Sequence, residues 1–181
     1  MLTPILITLA VILTLFVAFV AQRPSTFRVA RSIAITAPIV EVFSQVNDLH
    51  NFQEWSPWAK LDPKSTMTFS GPAAGTGAAF AWSGNNSVGE GSMTLIESRP
   101  PELIRFKLEF LRPFKGTNLA EFTFKPEGSQ TVVTWTMTGK YNFIMKAVGL
   151  FVNCDKMCGG QFEKGLAKMK SLAETAVRET A

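Results

Sequence analysis

The sequence predicts an α+β protein in which a curved antiparallel sheet of about seven strands wraps around a long C-terminal helix, with a transmembrane helix in front. Three observations support this fold class. The first 22 residues are almost entirely apolar. Residues 66–139 form short alternating segments that are separated by turn residues, which is typical of an antiparallel meander. Residues 142–178 carry apolar side chains at helical spacing.

The N-terminal segment has the length and composition of a membrane span. No charged side chain occurs in the run LTPILITLAVILTLFVAFVA. About 20 helical residues, each rising about 1.5 Å, cross a hydrocarbon core of about 30 Å. A cleavable signal peptide is the alternative. It would need a basic start and a small-x-small cleavage site, but the run ends in Phe19-Val20-Ala21, so we favour a retained anchor.

The charges after this run predict its orientation. Arg23, Arg28 and Arg31 all follow it, and basic residues favour the cytoplasmic side. We therefore expect a single-pass protein of the cell (inner) membrane, with its folded part in the cytoplasm. The expected organisation is a transmembrane anchor over residues 1–22, a linker over 23–26 and one domain over 27–181.

Composition narrows the function classes. The net charge of +4 is spread along the chain without a Lys/Arg run, which permits weak attraction to an anionic membrane surface but argues against nucleic-acid binding. Cys154 and Cys158 stand four apart on a predicted helix without a zinc-binding motif, so we interpret them as reduced thiols and expect no metal site. The runs GPAAGTG and VGEG match no phosphate-binding motif, and no cofactor is expected.

The folded part begins with one strand and two helices. The segment FRVARSIAIT alternates apolar and polar residues and predicts a half-buried strand. Pro38 suits the first turn of a helix, and the apolar residues that follow recur at helical spacing. A second, short helix is expected over Leu49 to Trp55, before Pro57 and Pro63 impose a loop.

Six more strands follow, with turn residues between them. They are STMTFS, GAAFAWS, SVGEGSMTLIES, ELIRFKLEFL, TNLAEFTFK and QTVVTWTMTG. Alternation predicts a buried face, which carries Phe80, Trp82, Met93, Leu95, Ile104, Phe106, Leu108, Phe110, Phe122, Phe124, Val133, Trp135 and Met137. The opposite parity is rich in charged residues and threonine, as expected of a solvent face.

The tail predicts one long amphipathic helix. Its apolar stripe comprises Phe151, Cys154, Cys158, Phe162, Leu166, Met169, Leu172 and Ala176. The pair Gly159-Gly160 interrupts it, and we expect a kink or a break there.

From Phe27 to about Thr175, the order of elements resembles the START-like superfamily, also described as SRPBCC or polyketide cyclase/dehydrase. The resemblance rests on SIAITAPIVEVFSQVNDL, FQEWSPW, GPAAGTGAAFAWSGN, VGEGSMTLIES, TVVTWTMTG and FEKGLAKMK. It implies a helix-grip fold with a cavity between the sheet and the C-terminal helix. Members include lipid carriers, hormone receptors, aromatase/cyclases and co-chaperone-like proteins, so the resemblance does not fix an activity.

The candidate site is a predominantly apolar pocket with few polar groups. The residues predicted to bind the ligand are Trp55, Trp58, Phe80, Trp82, Glu90, Phe106, Phe110, Trp135, Met137 and Phe151. We expect Trp55 and Trp58, which flank a proline loop, to lie at the rim. The lone His50 near Asp48, Glu54 and Ser56 is interpreted as a helix-end or surface residue, because no nucleophile motif surrounds it.

The leading hypothesis is a membrane-anchored module that binds a hydrophobic small molecule or lipid. Two alternatives stay open at this point. One is a polyketide cyclase-like enzyme that uses His50, Glu54 or Glu90 as acid and base groups, which requires at least two of them to converge in the cavity. The other is a protein-interaction module that presents its outer sheet face or the loop from Trp55 to Trp58.

Overall fold

The computed structural model describes residues 2–151 and 153–179. The element order is α1 (Leu2–Ala21), β1 (Thr26–Ile35), α2 (Ile39–Asn47), α3 (Leu49–Trp55), β2 (Thr66–Ser70), β3 (Ala79–Ser83), β4 (Glu90–Arg99), β5 (Leu103–Arg112), β6 (Gly116–Glu127), β7 (Gln130–Lys140), α4 (Phe143–Val148) and α5 (Cys154–Glu179). The predicted fold class is confirmed: seven strands, a helix pair after the first strand, and a long C-terminal helix.

The strands form one antiparallel sheet in the order β1-β7-β6-β5-β4-β3-β2. Strand β1 pairs with β7 from Thr26↔Lys140 to Ile35↔Thr131, so the first and last strands lie side by side. The predicted parity is also correct, because the alternating apolar residues of the central strands are buried on one face. We call this the inner face, and it is the face on which the helices pack.

Helix α5 lies along β1 and contacts α2 and α3, while α2 packs on β6 and β7. Its buried stripe is Phe162, Leu166, Met169 and Ala173. Two polar contacts hold its second half against β1. Lys170 donates to the carbonyl of Ala34 at 2.8 Å, and the Glu174 carboxylate accepts the backbone N–H of Thr36 at 2.8 Å.

The tail differs from the single helix that the sequence predicts. The break falls between α4 and α5, and α5 runs unbroken through Gly159-Gly160. Asparagines begin both helices: Asn142 Oδ1 accepts the N–H of Met145, and Asn153 Oδ1 accepts that of Lys156. Phe151 lies outside α5 and is exposed, so the predicted stripe was wrong at this residue.

A neighbouring side chain explains why glycine occupies position 159. A Cβ at this position would overlap the guanidinium of Arg31. Arg31 lies on the inner face opposite Trp135, and it pairs with Asp155 at 3.0 Å and with Glu163 at 2.7 Å. The glycine therefore lets an arginine side chain pass between the helix and the strand, instead of breaking the helix.

The N-terminal helix stands apart from this core. Among the described residues, Thr3–Ala21 is the one helical stretch long and apolar enough to cross a membrane, with a mean hydropathy of 2.7. Its side chains are exposed along most of its length, but Val20 near its end is fully buried, and α4 is the element that packs there. Signal sequences share this length and composition.

Candidate functional site

An aromatic cluster fills the middle of the inner face. Trp135 of β7 stacks on Phe162 of α5, with ring centroids 3.9 Å apart and planes at 5°. Phe122 stacks on the same indole at 4.9 Å. Trp55 and Trp58 approach it edge-on at 5.6 Å and 5.7 Å. Side chains therefore occupy the space between the centre of the sheet and α5, where the sequence predicts a ligand.

The two tryptophans that were expected at a rim have different positions. Trp55 is the last residue of α3 and is only 2% exposed, and its indole donates to the carbonyl of Gln45 at 2.8 Å. Trp58 is partly exposed and packs edge-on against Phe162 as well. Trp55 thus belongs to the core, because α3 turns it inward, and Trp58 alone borders solvent.

The cluster contains an unsatisfied donor. Within the described part of the chain, the indole N–H of Trp135 is buried and has no hydrogen-bond acceptor, as is also the case for the side-chain amide nitrogen of Gln53. A buried polar group without a partner costs about 1–3 kcal/mol.

One end of the inner face remains partly open. We define the open end by five residues that are all partly exposed although they point inward by register: Phe27, Trp82, Leu108, Phe110 and Asn118. The rows of side chains next to them, which include Val29, Leu95, Phe106 and Ala120, are buried. The helices pack mainly on β1, β6 and β7, so the β3–β5 side of the open end is covered least.

Trp82 and Phe110 form an aromatic pair at this end, with centroids 5.8 Å apart. Gly91 pairs with both residues across the sheet and is buried between them. The Trp82 indole donates to the carbonyl of Val88 at 3.2 Å, which holds the ring over Gly91. The open end is therefore a half-exposed apolar surface whose largest ring has a fixed orientation.

The register places the open end next to the chain's entry into the domain. Phe27 is the second residue of β1, and the row of side chains that starts from it continues through Gly139 and Asn118 to Leu108. The N-terminal part of α5 lies at the same end. Its Asp155 hydrogen-bonds with Arg31, which raises the pKa of Arg31 further above its ordinary value and lowers that of Asp155.

The remaining predicted residues do not all meet at this end. Phe80, Phe106 and Met137 are buried on the inner face, at 6%, 0% and 8% exposure. Glu90 lies on the opposite face and pairs with Arg112 at 2.7 Å. Phe151 is 86% exposed in the connection between α4 and α5.

The acid and base candidates do not converge. His50 is exposed in the first turn of α3, where its backbone N–H donates to Asp48 Oδ1 at 2.8 Å and its ring stacks on Phe69. It is thus a helix-end residue, as the sequence predicts. Glu54 is exposed, and Glu90 is engaged by arginine on the outer face.

The outer face carries a groove of about 400 Å³. Side chains of Thr66, Thr68, Ser83, Ser92 and Glu109 line it, and they have the parity opposite to Trp82. Glu109 pairs there with Lys107 at 2.8 Å. Ala81, Trp82, Glu90, Gly91 and Leu111 complete the lining, so the groove has both polar and apolar walls. Its carboxylates are already paired, Glu109 with Lys107 and Glu90 with Arg112.

No cluster of three or more His, Cys, Asp or Glu side chains suited to a metal ion occurs within the described residues. The side chain of Cys154 lies outside them.

Sequence reasoning missed Arg31 as an inner-face residue, although the signal was present. Arg31 shares the parity of Phe27, Val29 and Ile33, and its charge concealed that pattern. It also missed the open end as a distinct region, since the alternation of a strand does not reveal which part of a face a helix covers.

Comparison with solved structures supports the fold. A protein of Chromobacterium violaceum from a structural genomics consortium has a TM-score of 0.58 at 17% identity, covering 84% of this chain and 99% of that one. The di-domain ARO/CYC protein BexL of a biosynthetic pathway has a TM-score of 0.60 at 15% identity, with 87% and 53% covered. Ginseng major latex-like protein 151 from Panax ginseng has a TM-score of 0.58 at 11% identity, with 83% and 99% covered.

No match was found among curated protein sequences. At the level of families, the description "polyketide cyclase / dehydrase and lipid transport" matches residues 26–174, which include every strand and most of α5. This chain therefore belongs to the polyketide cyclase/dehydrase and lipid transport family, and its fold is the helix-grip fold expected from the SRPBCC resemblance.

Proposed function

We propose that this protein binds a hydrophobic small molecule or lipid at the open end of the inner face, between the sheet and the start of α5. The observation that carries the proposal is the partial exposure of Phe27, Trp82, Leu108 and Phe110 on a face whose centre is buried. A contiguous apolar surface that a folded domain leaves partly uncovered is typical of a binding site. The chain belongs to a family that is described by polyketide cyclases and lipid transport, which supports the same ligand class.

Apolar burial supplies the driving force. Each Å² of apolar surface that ligand and protein remove from water contributes about 25 cal/mol, before the cost of association. Polar contacts then orient the ligand, and Asn118 is the polar side chain of the open end. Because His50, Glu54 and Glu90 do not converge, we prefer binding to catalysis.

We further propose that residues 1–22 anchor the protein in the membrane, that residues 23–26 link the anchor to the domain over 27–181, and that the domain faces the cytoplasm. The length and hydropathy of Thr3–Ala21 and the arginines that follow it support this arrangement. A tether of this kind would raise the local concentration of any ligand that partitions into lipid. N-terminal sequencing of the membrane fraction tests it, and a chain cleaved after Ala21 would overturn the anchor.

The binding proposal is tested by a pair of adjacent substitutions in the full chain. Phe110→Glu places a charge on the inner face at the open end. Leu111→Glu places the same charge on the outer face, where Leu111 is 51% exposed. Both proteins are purified in nanodiscs that contain native lipids, and bound species are identified by native mass spectrometry after release from the lipid.

We expect the wild type and Leu111→Glu to retain a hydrophobic ligand and Phe110→Glu to lose it. Equal retention by both variants would place the ligand elsewhere on the protein. A wild-type protein that binds neither a copurified species nor an added apolar fluorescent probe would refute the proposed function.

A further inference from the structure

The connection between β7 and α5 exposes an unusual amount of apolar surface. We call residues 143–151 the connector, and it includes α4. Helix α4 has no buried residue. Phe143, Ile144 and Val148 are 46%, 56% and 41% exposed, and Phe151 is 86% exposed. Such an apolar patch on a short segment indicates contact with an apolar partner.

The sheet register fixes where the connector lies. Thr26 pairs with Lys140, and the backbone N–H of Tyr141 donates to the carbonyl of Ser25 at 2.9 Å. Only five residue steps separate Thr26 from Ala21, the end of α1, so the chain between them spans at most about 18 Å. The connector therefore begins beside the exit of the N-terminal helix, whatever the flexibility of the intervening residues.

Direct contacts strengthen this placement. The Lys146 ammonium donates to the carbonyl of Ala21 at 3.2 Å, and α4 packs against α1 near the buried Val20. A cation that neighbours exposed phenylalanine and isoleucine is the pattern of a segment that lies in a lipid interface, with its apolar side chains among the acyl chains and its charge at the headgroups.

We propose that the connector inserts into the lipid surface beside α1 and thereby holds the open end of the inner face against the membrane. This inference rests on the proposed anchor, since continuity with α1 identifies lipid as the occupant of the patch. It adds a path for the ligand: the connector leads directly into the start of α5, at the end where Asp155 contacts Arg31 and the inner face is open. A hydrophobic molecule can then pass from the bilayer to the open end without crossing bulk water.

Site-specific photocrosslinking in native membranes tests the proposal with the full chain. The photoreactive residue p-benzoylphenylalanine is introduced, one position at a time, at Ile144 and Phe151 of the connector. Phe16, which is exposed on α1, serves as the positive control. Val40 serves as the matched negative control: it is 65% exposed at the start of α2, and β1 carries the chain about 30 Å from Thr26 before α2 begins.

After irradiation, lipid adducts are measured by mass spectrometry of the purified chain. We expect adducts at Ile144 and Phe151 at a yield comparable with Phe16, and none above background at Val40. Adducts at Phe16 without adducts at Ile144 or Phe151 would overturn the connector proposal while the anchor stands. A failure of Phe16 as well would overturn both. Because all four positions are exposed, the substitutions leave the core intact, and thermal unfolding of each variant verifies this.

Discussion

Replacing Gly91 by alanine is expected to disturb the open end in a way that the structure defines closely. Gly91 is buried in β4 between Trp82 of β3 and Phe110 of β5. A Cβ at this position would overlap the carbonyl oxygen of Glu109 and would lie 2.7 Å and 2.8 Å from two carbons of the Trp82 ring. The overlap with the carbonyl is relieved only by a shift of the paired backbones of β4 and β5, and the overlap with the ring by a movement of the indole.

The expected loss of stability in Gly91→Ala follows from overpacking. One extra methyl group in a closely packed position costs about 1–3 kcal/mol of unfolding free energy. In a domain of this size, each kcal/mol lowers the unfolding midpoint by about 2–4 °C. Displacement of Trp82 also breaks its hydrogen bond to Val88, so a ligand that packs on this ring should bind more weakly.

Gly116→Ala provides the matched control. Gly116 pairs with the same Phe110 from the other side, in β6, but a Cβ there meets no atom within 4 Å. Gly116 has no positive φ, and alanine at such a compatible position stabilises by about 0.4–1 kcal/mol because the unfolded chain loses conformational freedom, so this variant should be as stable as the wild type or slightly more stable. Thermal unfolding followed by tryptophan fluorescence measures both. If Gly91→Ala unfolds at the wild-type temperature, the close packing of Trp82 on Gly91 is not a feature of the folded protein.

Two further predictions concern α5 and the helix pair. The backbone N–H of Thr36, aided by the charge of Lys170, lowers the pKa of Glu174 below its ordinary value of 4.5. The ionised Glu174 therefore stabilises the folded state fully at pH values above 4.5, and this stabilisation is lost as the pH falls through the lower pKa of the folded state. Glu174→Gln should therefore lower the unfolding midpoint at pH 7, with a difference from the wild type that shrinks below about pH 4; a constant difference across this range would contradict the assignment. Trp55→Ala should lower the free energy of unfolding in urea by about 3–5 kcal/mol, and Trp58→Ala should lower it clearly less, because only Trp55 is fully buried. Equal losses would mean that the two rings are buried alike.

The strands of this protein were predictable because their side chains alternate so regularly. In β5, Ile104, Phe106, Leu108 and Phe110 alternate with charged residues, and turns rich in glycine or proline separate neighbouring strands. Such a pattern determines which face is buried without any knowledge of the partner strand. The family profile over residues 26–174 then agrees with the fold that this pattern predicts.

The limits of the helices were harder to predict, because they depend on single contacts. The pair Gly159-Gly160 has the composition of a helix break, but Gly159 is required by the approach of Arg31, which lies 128 positions earlier in the sequence. The true break depends on Asn153, which can either continue a helix or cap one. A one-dimensional pattern carries neither piece of information.

The open end was not predictable for a related reason. Periodicity assigns Phe106 and Phe110 to the same face with equal weight, yet the first is fully buried and the second is partly exposed. The difference arises from the path of α5 along β1 and of α2 across β6 and β7, which leaves the β3–β5 end less covered. The position of the open end is thus determined by what the helices leave uncovered.

The direction in which β1 runs determines how α1 lies relative to the open end. An edge strand exposes unpaired backbone groups and is normally protected from pairing with other chains. Here β1 is one of the two edge strands of the sheet, α5 lies along it, and it is also the first strand after α1. Because β1 runs away from α1, its first residues lie at the end next to α1, together with the end of β7 and the start of α5. Reversing this strand would place the open end far from α1. The direction of a single edge strand therefore decides whether a tethered domain of this fold presents its open end to the bilayer or to water.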